Sequence, residues 1–351
     1  RAMAPWDYPD FDDHEGVHLF RDAAAGLTAV IAIHSTKLGP AAGGCRYWSY
    51  ADRGAAITDA LRLSRGMSYK NAMAGLPMGG GKAVILTDPD GAKTPELLAA
   101  FGRAVDSLGG RYVTAEDVGI SDADMVQIGK QTRHVSGLPV SGAGDAGGDP
   151  GPFTALGVYL GVKAAVRRGL KRDDMRGVHV AIQGVGSVGG GLARLLAKNG
   201  ARLTLADVNT ARAEALAAEL GGESVPADAI LGIAADVISP CALGAILTAE
   251  TIAALRAPII AGAANNQLAT PGDGWRLHAR GIVYAPDYVI NAGGIINVGL
   301  EYLGQGNRAE VETRIAEIPG RLDTIWQESA ATGEPSSLVA DKMAQRLIGR
   351  G

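Results

Sequence analysis

Apolar residues in the first part of the chain fall into short runs separated by polar or glycine-rich stretches. Gly16–Phe20 and Leu27–Ile33 read as strands. Ala55–Gly66 puts Ile57, Ala60, Leu61 and Ser64 on one face, which predicts a helix that can continue through Met67 to Ala74. Ala83–Leu86 is a short strand preceded by three glycines. Thr94–Leu108 has Pro95 in its first turn and an apolar face of Leu97, Leu98, Phe101 and Val105, so it reads as a helix. A strand at Arg111–Thr114 and a helix at Ala123–Thr132, capped by Ser121 or Asp122, complete this half.

After a helix at Phe153–Arg168 the pattern becomes an alternation of strands and helices. Strands are expected at His179–Gln183 and Leu203–Ala206, with helices at Leu192–Lys198 and Ala211–Leu220. Ala235–Ser239, Pro258–Ala261 and Ile282–Tyr284 are short buried strands. Such a rhythm builds a parallel sheet. The stretches GPAAGGCRYWSY, SPCALG, GAANNQL and APDYVINAGG read as turns. Ala309–Ala331 carries apolar residues at helical spacing, with Pro319 as a kink, and Ser337–Leu347 forms a final helix.

Composition then divides the chain. Ser141–Pro152, SGAGDAGGDPGP, is its sharpest break and reads as a hinge between two domains. The 351 residues suffice for two cores. The expected division is 1–140, a glycine-rich hinge at 141–152, a second domain at 153–330, and a C-terminal helix at 331–351 that can return to the first domain. A net charge of -4 gives no basic field for nucleic acid. No apolar run is long enough to span a bilayer. The first residues lack the apolar stretch of a signal peptide, so a cytoplasmic location is expected. Two cysteines, Cys45 and Cys241, read as packing residues, and the six histidines show no ligand spacing, so no metal is assigned.

Candidate chemistry concentrates in three places. Gly184-Val185-Gly186-Ser187-Val188-Gly189 is a G-x-G-x-x-G run between a strand and a helix, and Asp207 follows the next strand. In that context Gly184, Gly186, Ser187, Val188 and Gly189 would bring backbone N–H groups to a pyrophosphate. Asp207 would accept hydrogen bonds from ribose hydroxyls and repel a 2'-phosphate, which selects NAD over NADP, although Arg212 stands near in sequence. In the first half, Lys70 (MSYKNA) and Lys82 (LPMGGGKAVI) are lysines in largely apolar, glycine-rich surroundings, where they could hold a carboxylate and move a proton. Lys82 stands where a turn enters a strand. Asp117 lies past a strand end and has no evident capping duty. Asn265, Asn266 and Asn291 fall at the carboxyl edge expected of a parallel sheet, where ligands bind; as turn formers they need no such role.

Taken together, GPAAGGCRYWSY, DALRLSRGMSYKNAMAGLPMGGGKAVI, YVTAEDVG, AIQGVGSVG, SPCALGAI, IAGAANNQL and YAPDYVINAGGIINV resemble the amino acid dehydrogenases of the glutamate, leucine, phenylalanine and valine group. The similarity runs over nearly the whole chain and looks nearest to leucine-acting members, with phenylalanine-acting ones next. It implies an α/β, two-domain amino acid dehydrogenase fold. An N-terminal α/β domain would bind substrate and oligomerise, and a Rossmann-type domain would bind NAD. It implies reversible oxidative deamination of an L-amino acid to a 2-oxo acid and ammonia, by a homo-oligomer. By resemblance Lys70 takes the substrate carboxylate, Lys82 is the catalytic base and Asp117 the second proton carrier. Gly43, Gly44 and Asn291 line the substrate site. Thr154, Asn265 and Asn266 belong to the cofactor. The side-chain pocket corresponds to Ala42, Ala115, Ile295 and Val298. Glutamate-acting members hold the distal carboxylate with a lysine and a serine where this chain has Ala42 and Val298, so an apolar substrate is expected. Leucine-acting members tend to have leucine at Ala42 and phenylalanine-acting ones alanine, which points to a leucine-type enzyme with a wide pocket, ahead of a phenylalanine enzyme. A 2-hydroxy-acid dehydrogenase would need a histidine-centred base, which the spacing does not offer. A non-catalytic NAD-binding protein would have no use for Lys70, Lys82 and Asp117.

Overall fold

Strands β1 (Gly16–Asp22) and β2 (Leu27–Ser35) pair antiparallel in the computed structural model, which describes residues 4–139 and 144–351. β1 alternates between half-buried and exposed positions, whereas β2 is buried on both faces. The difference follows from place: β1 is at the sheet edge and β2 inside it.

The stretch expected to be a turn after Gly39 instead forms two strands, β3 (Ala41–Ala42) and β4 (Cys45–Trp48). Small residues are needed here because backbone runs against backbone. A Cβ on Gly43 would lie 1.6 Å from the Gly81 carbonyl oxygen. Helix α1 (Arg53–Met73) follows, its N-terminus capped by Asp52, whose side chain accepts the Ala55 N–H.

The three glycines before Lys82 are also strand, not turn. They open β5 (Gly79–Leu86), so Lys82 stands inside a strand rather than at its entrance. A Cβ on Gly79 would meet the Ser35 carbonyl oxygen at 1.9 Å, and one on Gly80 the Ser68 nitrogen at 2.0 Å. Glycine therefore lets β2 and α1 close on β5. Helix α2 (Pro95–Ser107) is capped by Thr94, β6 is Tyr112–Val113, and Ser121 caps α3 (Asp122–Gly129). The sheet order is β1-β2-β5-β3-β6, with β4 also on β5. Leu27, Ile31, Ile85, Phe101, Tyr112 and Ile128 form the core on one face, and Val30, Ala32, Ala56, Ala60 and Val84 that on the other. Each fully buried large side chain contributes about 1.5–3 kcal/mol.

The second sheet is wholly parallel. Its elements are α4 (Gly151–Leu170), β7 (His179–Gln183), α5 (Ser187–Lys198), β8 (Arg202–Ala206), α6 (Thr210–Leu220), β9 (Glu223–Ser224), β10 (Val237–Pro240), α7 (Ala249–Ala254), β11 (Ile259–Ile260), α8 (Pro271–Ala279) and β12 (Val283–Tyr284). The strand order β12-β11-β10-β7-β8-β9 reverses direction beside β7, the doubly wound arrangement of dinucleotide-binding domains.

Two further stretches differ from expectation. APDYVINAGG is not a turn: it holds α9 (Asp287–Ile290) and the start of α10 (Gly293–Leu303). Gly293 serves packing, since a Cβ there would lie 2.1 Å from the Phe153 carbonyl oxygen on α4. The single kinked helix expected at Ala309–Ala331 is two, α11 (Arg308–Ile315) and α12 (Ile318–Thr332), with Pro319 in the first turn of the second. Helix α13 (Ser336–Leu347) ends the fold.

The chain divides into two units. One comprises Arg1–Gly148, Asn297–Arg308 and Ala344–Gly351; the other comprises Asp149–Ile296 and Ala309–Met343. Of the stretch read as a hinge, residues 141–143 lie outside the described residues. Within the first unit Asn297 is buried and clasps Gly147, accepting its N–H at 2.8 Å and donating to its carbonyl at 3.0 Å. No described helix is long and apolar enough to cross a membrane.

Candidate active site

In the first unit, Lys82 and Asp117 meet. The Lys82 Nζ lies 2.5 Å from Asp117 Oδ2, and Lys82 is only 7% exposed. Lys82 is fixed by β5, paired opposite Ala32 of β2. Asp117 comes from the loop after β6, which reaches the strand because residue 44 has no side chain. A Cβ on Gly44 would lie 2.4 Å from the Glu116 carbonyl oxygen and 3.0 Å from the Asp117 Cβ. Burial alone would raise the Asp117 carboxyl, but Lys82, then Arg46 and the Val118 N–H, outweigh it and hold the group below the usual carboxylate range. Asp117 is therefore a carboxylate set against the Lys82 Nζ.

The wall around the pair is mostly backbone. The Gly43 N–H donates to the Val113 carbonyl at 3.1 Å, the Cys45 N–H to Ala115 at 2.8 Å, and the Ala83 N–H to Gly44 at 3.2 Å. Tyr112, fully buried, donates its hydroxyl to the Gly43 carbonyl at 2.6 Å. Asn71 of α1 donates to the Gly79 carbonyl at 2.6 Å and to the Ala42 carbonyl at 3.4 Å, tying β3 to β5. Lys70 is part-buried in the last turn of α1, the end of a helix that favours a cation. Ala42 is almost fully buried, Ala115 and Val298 partly so. Val298 Cγ1 lies 4.0 Å from where a Cβ on Gly137 would stand. Ile295 falls in the second unit, apart in the chain's division from Val298. Cys45 is inert, since burial pushes its thiol up far beyond any thiolate range.

Three residues of this wall carry no sequence signal of their own. Arg46 contacts Asp117 from 71 positions away, and Tyr112 and Asn71 reach Gly43 and Gly79 only through the fold. Asn71 follows Lys70 directly, so its neighbour was the one available pointer.

The second unit offers the dinucleotide cradle. Gly184 has φ +90°, and a Cβ there would sit 2.5 Å from the Ala242 Cβ. A Cβ on Gly189 would lie 1.9 Å from the Gly184 carbonyl oxygen, whereas Gly186 faces open space. Helix α5 starts at Ser187 with no side-chain cap, so its first N–H groups, through Val188, remain for an anion. Asp207 accepts the Val185 N–H at 2.9 Å and the Asn209 N–H at 2.8 Å. Burial would raise that carboxyl; these two N–H groups and Arg212 hold it low. A pinned carboxylate at the end of β8 suits a ribose diol and repels a 2'-phosphate, so the residues present fit NAD. Asn291 donates to Asn265 Oδ1 at 2.7 Å and to the Ala263 carbonyl at 3.0 Å. Its own Oδ1 is buried with no partner among the described residues, as is Gln183 Oε1. These are acceptors that a bound amide or ammonium could meet. Asn266 adopts φ +52°, a turn conformation, and its carbonyl accepts the Ala245 N–H at 2.6 Å. Thr154, in the first turn of α4, donates to the Pro150 carbonyl at 3.0 Å.

The chain is similar to known proteins over nearly its whole length. Residues 14–134 match the family model of the Glu/Leu/Phe/Val dehydrogenase dimerisation domain, and residues 204–345 that of the glutamate/leucine/phenylalanine/valine dehydrogenases. Leucine dehydrogenase of Thermoactinomyces intermedius is 46% identical over 99% of this chain and 94% of its own. Valine dehydrogenase of Streptomyces albus is 44% identical over 97% of this chain and 94% of its own. The crystal structure of L-tryptophan dehydrogenase from Nostoc punctiforme superposes with a TM-score of 0.86 at 41% identity, covering 96% of each chain. With a Lys–Asp pair in one unit and a doubly wound nucleotide cradle in the other, the chain belongs to the Glu/Leu/Phe/Val dehydrogenase family and is an amino acid dehydrogenase.

Proposed function

We propose that the protein catalyses NAD-linked, reversible oxidative deamination of an apolar L-amino acid, leucine or one near it in size, to the 2-oxo acid and ammonia. The observation that carries the reading is the buried Lys82–Asp117 pair, 2.5 Å apart, with Arg46 as a further partner of Asp117. Lys70 holds the substrate carboxylate, and the backbone at Gly43 and Gly44 lines its path. The cradle of residues 184–189 and Asp207 would hold NAD, which would supply the hydride acceptor for the substrate Cα, so that the substrate reaches Lys82 as an imine. Water attacking the imine carbon gives its proton to the Lys82 amine. Asp117, within hydrogen-bond reach of Lys82, takes that proton over from Nζ and hands it to the amine nitrogen. The C–N bond then breaks to release ammonia, while the carbinolamine hydroxyl gives its proton to the freed Lys82 amine and becomes the carbonyl. A homo-oligomer acting on small molecules in the cytoplasm is part of this reading, and the match to a dimerisation domain supports the oligomer.

Side-chain choice rests on Ala42, Ala115, Ile295 and Val298. Each is apolar and offers a glutamate carboxylate no partner. Ala42 also supports a second reading, an aromatic substrate such as phenylalanine, because its small side chain leaves room for a ring. The likeness to an L-tryptophan dehydrogenase favours the same possibility. The test is oxidation of NADH with ammonia and a panel of 2-oxo acids. The leucine-type reading expects 4-methyl-2-oxopentanoate to be used better than phenylpyruvate; the reverse order selects the aromatic reading, and no rate with either removes both. Ala42→Leu is expected to lower kcat/KM for phenylpyruvate about tenfold more than for 4-methyl-2-oxopentanoate, the scale of one or two methylene groups in a pocket. Equal losses would separate Ala42 from the pocket.

A further inference from the structure

We propose that Arg46 is a positioning residue for the proton steps, holding Asp117 on Lys82 from an anchor on α1. The proposal rests on the reading that Lys82 and Asp117 carry those steps. Arg46 stands on β4, beside β5. Its Nε donates to Asp117 Oδ2 at 3.3 Å and its Nη1 to Asp59 Oδ2 at 2.8 Å. Asp59, on α1, is itself fixed: Tyr50 donates its hydroxyl to Oδ2 at 2.6 Å, and Arg62 donates to Oδ1 at 3.3 Å. The guanidinium is planar and its donors fixed in direction, so bridging two carboxylates leaves it little freedom. Asp117 Oδ2 thus receives Lys82 and Arg46 together, one from each neighbouring strand.

Position and charge both matter here. Asp117 sits in a loop, where its side chain would otherwise be free to turn from Lys82. The titratable groups coupled to it are Lys82 on β5, Arg46 and Cys45 on β4 and Tyr112 on β6, and Glu116 precedes it in the loop. The Cys45 thiol and Tyr112 phenol are kept neutral by burial. Arg46 is therefore the second cation on the pair. A cation at that distance makes any proton on the pair easier to release, whichever member carries it. Removing its charge moves the acid limb of activity to higher pH.

The experiment is the pH profile of kcat and kcat/KM for amino acid deamination in Arg46→Gln, Arg46→Lys and Asp59→Asn, with Lys82→Ala alongside. Arg46→Gln is expected to lower kcat about tenfold, as for loss of a charged hydrogen bond, and to move the acid limb up by about one pH unit. Arg46→Lys keeps the charge and should return the limb to its original place while recovering only part of kcat. Asp59→Asn loosens the anchor, so kcat should fall with a smaller movement of the limb. An unmoved acid limb in Arg46→Gln overturns the proposal. If Arg46→Gln does not fold, wild-type kcat in Asp59→Asn overturns it. Full turnover in Lys82→Ala overturns the underlying assignment of the proton steps instead, and that result is separable from the Arg46 profiles.

Discussion

Replacing Lys82 by alanine is expected to lower turnover by about 10²- to 10⁴-fold, the range that a positioned acid–base group supplies. NAD binding should be unchanged, because every cradle residue belongs to the other unit. The variant should also fold. Asp117 keeps Arg46 as a partner when Lys82 is removed, so no carboxylate is left buried without a cation. A rapid titration with NADH separates the two properties, and steady-state rates with substrate give the loss. Turnover within about tenfold of the parent would remove Lys82 from the chemistry, since that is less than acid–base catalysis provides. Retained folding with lost NAD binding would contradict the division of residues between the units.

Elements with strong local pattern were legible from sequence. The run from His179 to Asp207 shows why: strand, glycine turn, helix, strand and acid are all specified by neighbours close in the chain, and the structure has each in order. Turn signals misled where glycine served packing. Gly43, Gly79 and Gly293 sit in or beside regular elements, because other backbone comes too near for a Cβ. Strand periodicity was also absent from β3 and β4. β3 is only two buried alanines, and β4 passes from buried Cys45 to exposed Trp48 without alternating. The Lys82–Asp117 contact spans 35 positions, and the roles of the two residues were expected from resemblance rather than pattern. Arg46 illustrates what remained out of reach. It lies in a quoted motif, but its duties depend on Asp59 from α1 and Asp117 from a loop, two partners joined only by the sheet.

The same close approach yields the largest expected effect on stability. Gly43→Ala places a methyl group 1.6 Å from the Gly81 carbonyl oxygen and 3.2 Å from Met67 Cγ. Met67 can shift, but the carbonyl is part of β5 and is held there by its neighbours. Relief therefore requires the segment after β3 to separate from β5, which carries Lys82 one residue further on. A loss of about 3 kcal/mol is expected, at the upper end for overpacking. For units of this size it corresponds to a fall of about 6–12 °C in Tm. The control is Gly66→Ala, at an exposed position of α1, where an added Cβ meets nothing within 4 Å. Alanine favours the helix there by about 0.5–1 kcal/mol, so this variant should melt at the parent temperature or above it. Thermal melting followed by circular dichroism compares the two. If Gly43→Ala melts with the parent, then β3 and β5 can part without cost, and the rigid seat assigned to Lys82 is wrong. If it melts early yet keeps full turnover, the loss lies away from the Lys82–Asp117 pair, and strand spacing does not govern their contact.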